Sequence, residues 1–380
     1  MNARNQRCWA EIDLEALRRN AARIRATLGS RAGIMAIVKA NAYGHGVLAA
    51  AGALDTKVET FGVANVVEAV QLSEVIKPDR IFILGTALPA EREEIVRHGF
   101  VPVISSFDEA MAFERLAGSV LLPVNVAIDT GMGRIGIFGN DAVAGVRDIA
   151  MLPRIEIKTI STHLPVSDED DSFTRDQLKR FGGIVDQLRE AGIRVPLIHV
   201  LNSAGVIHFS EYAQDLARVG LALYGSSPIA VFQNELKSVM TWKTRVTIVR
   251  ELPAGHGVSY GRTFITPSKM RIATLAIGYA DGYQRRLSNQ GADVLIHGKR
   301  CPVLGRVTMD QIMVDVTALQ DVAVGDEVVL MGRQGDGEIL AGELAKKAGT
   351  IPWEIFTGVS YRVERIYLHQ GENSAQSQGA

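Results

Sequence analysis

Between Gly33 and Val219, short β-branched apolar runs alternate with stretches in which apolar residues return every three or four positions. The runs are too short for helices and the intervening stretches carry a helical face, so together they describe buried strands joined by amphipathic helices. The runs lie near residues 33–39, 60–64, 80–84, 101–104, 123–128, 155–160, 196–200 and 215–219. A helix over 13–28 is predicted ahead of them, with Leu14, Leu17, Ala21, Ile24 and Leu28 on one face and Gly29 as its stop. Strand–helix alternation implies parallel strands with helical crossovers. Eight repeats in about 230 residues is the count and length of an α/β fold of the (β/α)8 barrel type. An open doubly wound sheet is the alternative, because periodicity does not see closure.

The pattern changes after Gly225. SVMTWKTRVTIVREL, KMRIATLAIGYADGY, ADVLIHGKRCPVLGRV, QIMVDVTAL and GDEVVLMG are β-rich runs broken by Gly, Pro and Asp, and helical periodicity returns only over Leu340–Ala348. The predicted organisation is a barrel over 1–235, a mainly antiparallel β C-terminal domain over 236–370, and a small polar tail over 371–380 that is expected to be disordered.

Composition narrows the class of function. With 41 basic and 42 acidic side chains the net charge is −1, which gives no electrostatic basis for nucleic acid or an anionic membrane. No run approaches the length of a membrane span and the first residues lack an apolar signal core. The two cysteines, Cys8 and Cys301, have no metal-ligand spacing and read as free thiols of a reducing compartment. A cytoplasmic protein with a small-molecule partner is expected.

Barrel enzymes build their sites on the loops after the carboxyl ends of the strands. Lys39 ends the first run in GIMAIVK, where burial lowers an amine's pKa and frees it as a nucleophile, as a Schiff-base lysine requires. Arg134 follows the fifth run in IDTGMGR, His163 the sixth in STH, Asn202 and Ser203 the seventh, and Arg218, Gly220 and Leu221 the eighth. The last two loops are where this fold places phosphates, and Ser203 with the backbone at Gly220 and Leu221 offers the donors. Each has an ordinary reading too: Lys39 as a solvated strand-end lysine, Asn202–Ser203 as a helix cap, Gly220 as a turn residue, His163 and Arg134 as loop polarity. It is their gathering at one end of one barrel that points to an anionic cofactor.

In this order and spacing, AIVKANAYGHG, IDTGMGRIG, STH, LNSAG, RVGLALYG, GVSYGRTF, GYADGY and PVLGRVTMDQ resemble the motifs of the bacterial alanine racemases from Trp9 to about Tyr367. The resemblance implies a pyridoxal 5'-phosphate enzyme that interconverts L- and D-alanine, supplies D-alanine for peptidoglycan, and works as a homodimer with shared active sites. It implies that Lys39 holds the cofactor and is one base, and that Tyr260 of the partner subunit is the other. It further implies that Arg218 meets the pyridine nitrogen, that His163 links Arg218 to that tyrosine, and that Tyr43, Ser203, Gly220 and Leu221, beside Asn202, hold the phosphate. Arg134 with Met309, Asp310 and Trp353 would face the substrate. A tyrosine is a poor base near its ordinary pKa; holding it ionised at pH 7 costs about 4 kcal/mol, which a cationic network through His163 and Arg218 is expected to offset.

Three positions depart from the family. Ala127 stands where a carbamylated lysine is usual, Trp353 where a tyrosine touches the phosphate, and Val219 where a proline follows the arginine. A buried Arg134 would then need another partner, a halide or Asn125 on the same strand face, and the activity should ignore bicarbonate. Competing readings are a racemase of another small amino acid such as serine, a pyridoxal-phosphate amino-acid decarboxylase, and a pyridoxal-phosphate carrier protein. Tyr260 as a second base separates the first from the second, and the 140-residue β domain speaks against the third.

Overall fold

The computed structural model of the chain describes residues 6–30 and 32–369. The expected tail over 371–380 lies outside the described residues. Within them the chain divides into two compact units, residues 17–42 with 47–237, and residues up to 16 with 43–46 and 238 onward.

The first unit is a closed ring of eight parallel strands: Gly33–Ile37, Thr60–Val63, Ile81–Ile83, Val101–Ile104, Leu122–Asp129, Ile155–Ser161, Ile198–His199 and Leu216–Val219. Each pairs with the next in parallel and the last returns to the first, so the sheet has no open edge among these eight. Closure excludes the doubly wound alternative. The strands read as unbroken apolar runs because both faces are covered, the inner by one another and the outer by helices. Helix Leu14–Leu28 begins where Asp13 Oδ1 accepts the N–H groups of Glu15 and Ala16 at 2.9 and 3.0 Å, and it ends at Gly29 with φ 64. Its predicted face, Leu14, Leu17, Ala21, Ile24 and Leu28, is buried.

The second unit is built on a nine-stranded sheet, antiparallel except at one edge. Its longest strand, Met240–Leu252, pairs with Cys8–Asp13, Met270–Leu275 and Glu327–Gln334. Over Met240–Val246 every second residue is buried, the alternation of a strand with one face in a core. The N-terminal residues therefore do not belong with the barrel, as the 1–235 assignment had them. Cys8–Asp13 buries Trp9, Ala10 and Ile12 as a strand of the β unit, paired to Glu364–Leu368 on its other side. Strand pairing at that sequence distance leaves no periodic trace near residue 8.

Candidate active site

The first barrel strand stops at Ile37, and Val38 makes one more ladder bond, its N–H donating to Gly62 O at 2.9 Å. Lys39 then leaves the sheet. Ala40, Asn41, Ala42 and Tyr43 follow with φ between 51 and 54, a single left-handed turn without a glycine. L-residues resist this conformation by roughly 1–2 kcal/mol each, so the turn exists because its ends are held. Ala42 N donates to Val38 O at 2.8 Å, Ala40 N to Glu68 Oε1 at 2.8 Å, and Val47 N to Asn41 Oδ1 at 2.8 Å. The effect is to fix the backbone that carries the Lys39 amine. Burial lowers the Lys39 pKa, the charge of Arg134 lowers it further, and Glu68 opposes them.

Around the ring, Asp129 ends the fifth strand and accepts N–H bonds from Gly131, Met132 and Gly133 at 2.8, 2.8 and 2.9 Å. At Gly136 an added Cβ would lie 2.6 Å from Asp129 N, so the loop closes back on its own strand and throws Arg134 outward. Arg134 is exposed, and among the described residues it makes no hydrogen bond or ion pair. Within the single chain, then, Arg134 is neither buried nor paired with an acidic side chain among the described residues. Asn125 does not fill the place of the missing lysine either: its Oδ1 accepts from Thr159 Oγ1 at 2.9 Å inside the barrel.

Arg218 is the centre of the site's polar structure. It is 8% exposed and, among the described residues, has no carboxylate partner. Nη1 donates to His199 Nδ1 at 2.6 Å and His199 O at 2.8 Å; Nη2 donates to Thr162 O at 2.6 Å, Val200 O at 2.9 Å and His163 Nδ1 at 3.3 Å. Burial pushes its pKa down to about 10, with Arg134 adding to the effect. The terminal N–H groups are thus committed to the protein, while Nε makes no hydrogen bond to any described residue.

An arginine has no acceptor, so both ring nitrogens it meets must be lone pairs, which leaves the protons of His163 and His199 on Nε2. Burial first, then Arg218, Arg134 and Lys39, push the His163 pKa down to about 3. Burial and Arg218 likewise hold His199 well below the usual histidine range. The expected cationic network through His163 is therefore corrected: His163 is neutral, and Arg218 alone carries the charge.

Asn202 and Ser203 play distinct parts. Asn202 caps helix Ser203–His208, its Oδ1 accepting from Gly205 N at 2.8 Å and Ser167 Oγ at 2.8 Å, and its amide donating to Leu164 O at 3.2 Å. Ser203 Oγ accepts from Gly220 N at 3.1 Å and Ala222 N at 3.5 Å, which ties the seventh strand-end loop to the eighth. With its acceptor side engaged, the Ser203 hydroxyl proton is left to donate.

In the β unit, Tyr43 is buried and its hydroxyl is hydrogen-bonded to Trp353, while burial pushes its pKa up to about 12. The backbone after it is gripped closely: Arg365 Nε donates to Gly44 O at 2.9 Å, and a Cβ on Gly44 would sit 2.4 Å from Phe356 O. Tyr260 is 72% exposed on a tight turn where Ser259 and Arg262 have φ 62 and 46 and Ser259 Oγ donates to Arg306 O at 2.6 Å. Met309 is exposed on a loop laid against Gly278, where a Cβ would fall 2.2 Å from Met309 O, and Asp310 pairs with Arg362 at 2.9 Å.

The barrel thus gathers Lys39, Arg134, His163, Ser203, Arg218, Gly220 and Leu221 on its strand-end loops. Tyr43, Trp353, Tyr260, Met309 and Asp310 belong to the β unit. Sequence reasoning missed His199 and Thr159; the available signal was a polar residue at 125, 159 and 199 within the barrel strands. Among the described residues no cluster of His, Cys, Asp and Glu is fit to hold a metal, and no helix is long and apolar enough to cross a membrane.

An activated amine beside an anion cradle at the carboxyl end of a closed barrel is an enzyme's arrangement. Residues 12–228 match the family model for the alanine racemase N-terminal domain and residues 239–367 that for the C-terminal domain. The alanine racemase of Halothermothrix orenii is 44% identical over 97% of this chain and 99% of its own. A solved alanine racemase of Clostridium difficile superposes with a TM-score of 0.89 at 33% identity, covering 96% of both chains. One from Bartonella henselae, solved with covalently bound pyridoxal phosphate, gives 0.86 at 31% identity over 96% of this chain and 100% of its own. The chain belongs to the alanine racemase family.

Proposed function

We propose that this chain racemises alanine with pyridoxal 5'-phosphate and works as a homodimer in which each site draws on both subunits. The observation that carries it is Arg218: a buried cation with its terminal N–H groups tied to the barrel and Nε left over, beside a lysine whose pKa is lowered. The residues fit the cofactor. Lys39 supplies the amine, Ser203 Oγ–H, oriented by the Gly220 N–H that donates to its oxygen, supplies a phosphate donor with the backbone N–H of Leu221 beside it, and Arg218 Nε–H suits a ring nitrogen. Tyr43, whose Oη is engaged by Trp353, adds a phenol O–H of the same use. When bound, the cofactor acts as the electron sink that acidifies the substrate's α-carbon.

The chain's own groups then divide the work. Lys39, its amine eased towards the neutral form by burial, exchanges the α-proton on one face. Tyr260 of the partner subunit exchanges it on the other. His163 presents Nε2–H rather than a charge, so it steadies that tyrosine's oxygen by hydrogen bonding, with the charge of Arg218 one residue behind. Arg218 keeps its proton at working pH and so leaves the ring nitrogen unprotonated, which restrains side reactions. Arg134, exposed and unpaired, is free to take the substrate carboxylate, with the partner subunit's Met309 and Asp310 closing the pocket. A cytoplasmic enzyme making D-alanine for peptidoglycan is consistent with two free thiols, Cys8 and Cys301.

The test is to incubate the holoenzyme with a panel of L-amino acids, following D-enantiomer formation and carbon dioxide release. D-Alanine without carbon dioxide is expected. Preferred turnover of serine would move the substrate assignment, and carbon dioxide release would replace racemisation with decarboxylation.

A further inference from the structure

Inside the barrel, four neighbouring strands each contribute one polar residue at adjoining registers: Asn125, Thr159, His199 and Arg218. They are 2%, 0%, 0% and 8% exposed. Arg218 Nη1 meets His199 Nδ1 at 2.6 Å, His199 Nε2 meets Thr159 Oγ1 at 3.2 Å, and Thr159 Oγ1 meets Asn125 Oδ1 at 2.9 Å. The directions follow without choice. Arginine only donates, so His199 Nδ1 accepts and its proton is on Nε2; that proton goes to Thr159, whose own hydrogen is left for Asn125. Each proton has one place, and bonds aligned in this way strengthen one another.

A barrel interior does not need polar residues to fill it. This seam runs to Arg218, whose guanidinium plane is set by acceptors on both Nη atoms and whose Nε–H is aimed by that plane. We propose that Asn125, Thr159 and His199 form a positioning relay that holds the Arg218 plane, and with it the unprotonated state of the ring nitrogen that Nε–H would meet when the cofactor is bound. This rests on the function proposed above. None of the three need touch the cofactor, so their effect is on reaction partition. A looser Arg218 lets the ring nitrogen take a solvent proton and deepens the electron sink. With the cofactor bound, a greater share of turnovers would then end in half-transamination, in which alanine plus water would leave as pyruvate and the amino group would stay on the cofactor as pyridoxamine phosphate.

The test uses holoenzyme. Thr159→Val removes the hydroxyl at nearly constant volume and Thr159→Ser retains it. Asn125→Leu removes the last acceptor and serves where Thr159→Val does not fold. With D-alanine, Thr159→Val or Asn125→Leu is expected to raise pyruvate formed per racemisation event on the order of tenfold, with a changed pH profile of the bound cofactor's absorbance. Thr159→Ser should stay within about twofold of wild type. A lower melting temperature with unchanged partition and absorbance overturns the relay and leaves these residues structural. Failure of wild-type protein to bind pyridoxal phosphate overturns the underlying function, a different result that the absorbance reads directly.

Discussion

His163 shows how far one side chain's environment changes its use. Its folded pKa is pushed down from the ordinary 6.5 to about 3, so the unfolded chain takes up a proton that the folded chain refuses. Stability should therefore be unaffected by this group above about pH 6.5, fall as pH drops below it, and level off near pH 3. Between pH 7 and 5 the loss is about 2 kcal/mol, and denaturant midpoints of wild type and His163→Gln at the two pH values measure it. Parallel pH curves for the two proteins would mean that His163 titrates normally in the fold. Ala127 carries a second residue-scale prediction. A methyl group forms no carbamate and Arg134 is exposed without an acidic partner, so degassed buffer should leave activity unchanged and bicarbonate should not raise it. Loss in degassed buffer with bicarbonate rescue would place a carbamate elsewhere.

At the scale of elements, the left-handed turn after Lys39 invites a direct measurement. Ala40 is exposed, has φ 53, and its backbone N–H donates to Glu68 Oε1. Ala40→Gly should relieve the Cβ clash and leave that bond, raising stability by about 0.5–1 kcal/mol after the extra chain entropy of glycine. If it also loosens the lysine's backbone, activity falls while stability rises; a destabilised variant would contradict the strain. The turn was invisible beforehand because Ala-Asn-Ala carries no glycine to advertise positive φ. The barrel strands, by contrast, were legible, since burial on both faces writes continuous apolar runs. So were Lys39, His163, Ser203 and Arg218, each placed where a run ends. His199 and Thr159 were not, because their link is lateral: it depends on strand register, which a run of Ile and Val does not encode. Asn125 was placed on the strand face of Ala127 and offered as a partner for Arg134, whereas its Oδ1 meets Thr159 on the next strand, a lateral contact of the same kind.

At the scale of the molecule, the proposed sharing of sites has a test of its own. Tyr260 stands on a turn held by backbone contacts and is 72% exposed, a large aromatic presented outward from its own chain. Lys39→Ala and Tyr260→Phe subunits, each inactive, should regain activity when exchanged into mixed dimers, where one site in two combines intact Lys39 with intact Tyr260. No recovery under demonstrated exchange would mean that each site is built from one chain.

The β unit's sheet also fixes an order of events during synthesis. Strand Cys8–Asp13 lies between Met240–Leu252 and Glu364–Leu368, so neither of its edges has a partner until about 230 further residues have been made, and the second waits for the last strand. The whole barrel, residues 17–42 and 47–237, emerges from the ribosome before that first pairing is available. At about 5–20 residues per second the leading strand spends upwards of 10 seconds as an unpaired edge, with Trp9 and Ile12 uncovered. Strand Cys8–Asp13 is thus translated ahead of the barrel and secured after it, and crowding or slowed elongation should harm this chain there, through residues whose partners do not yet exist.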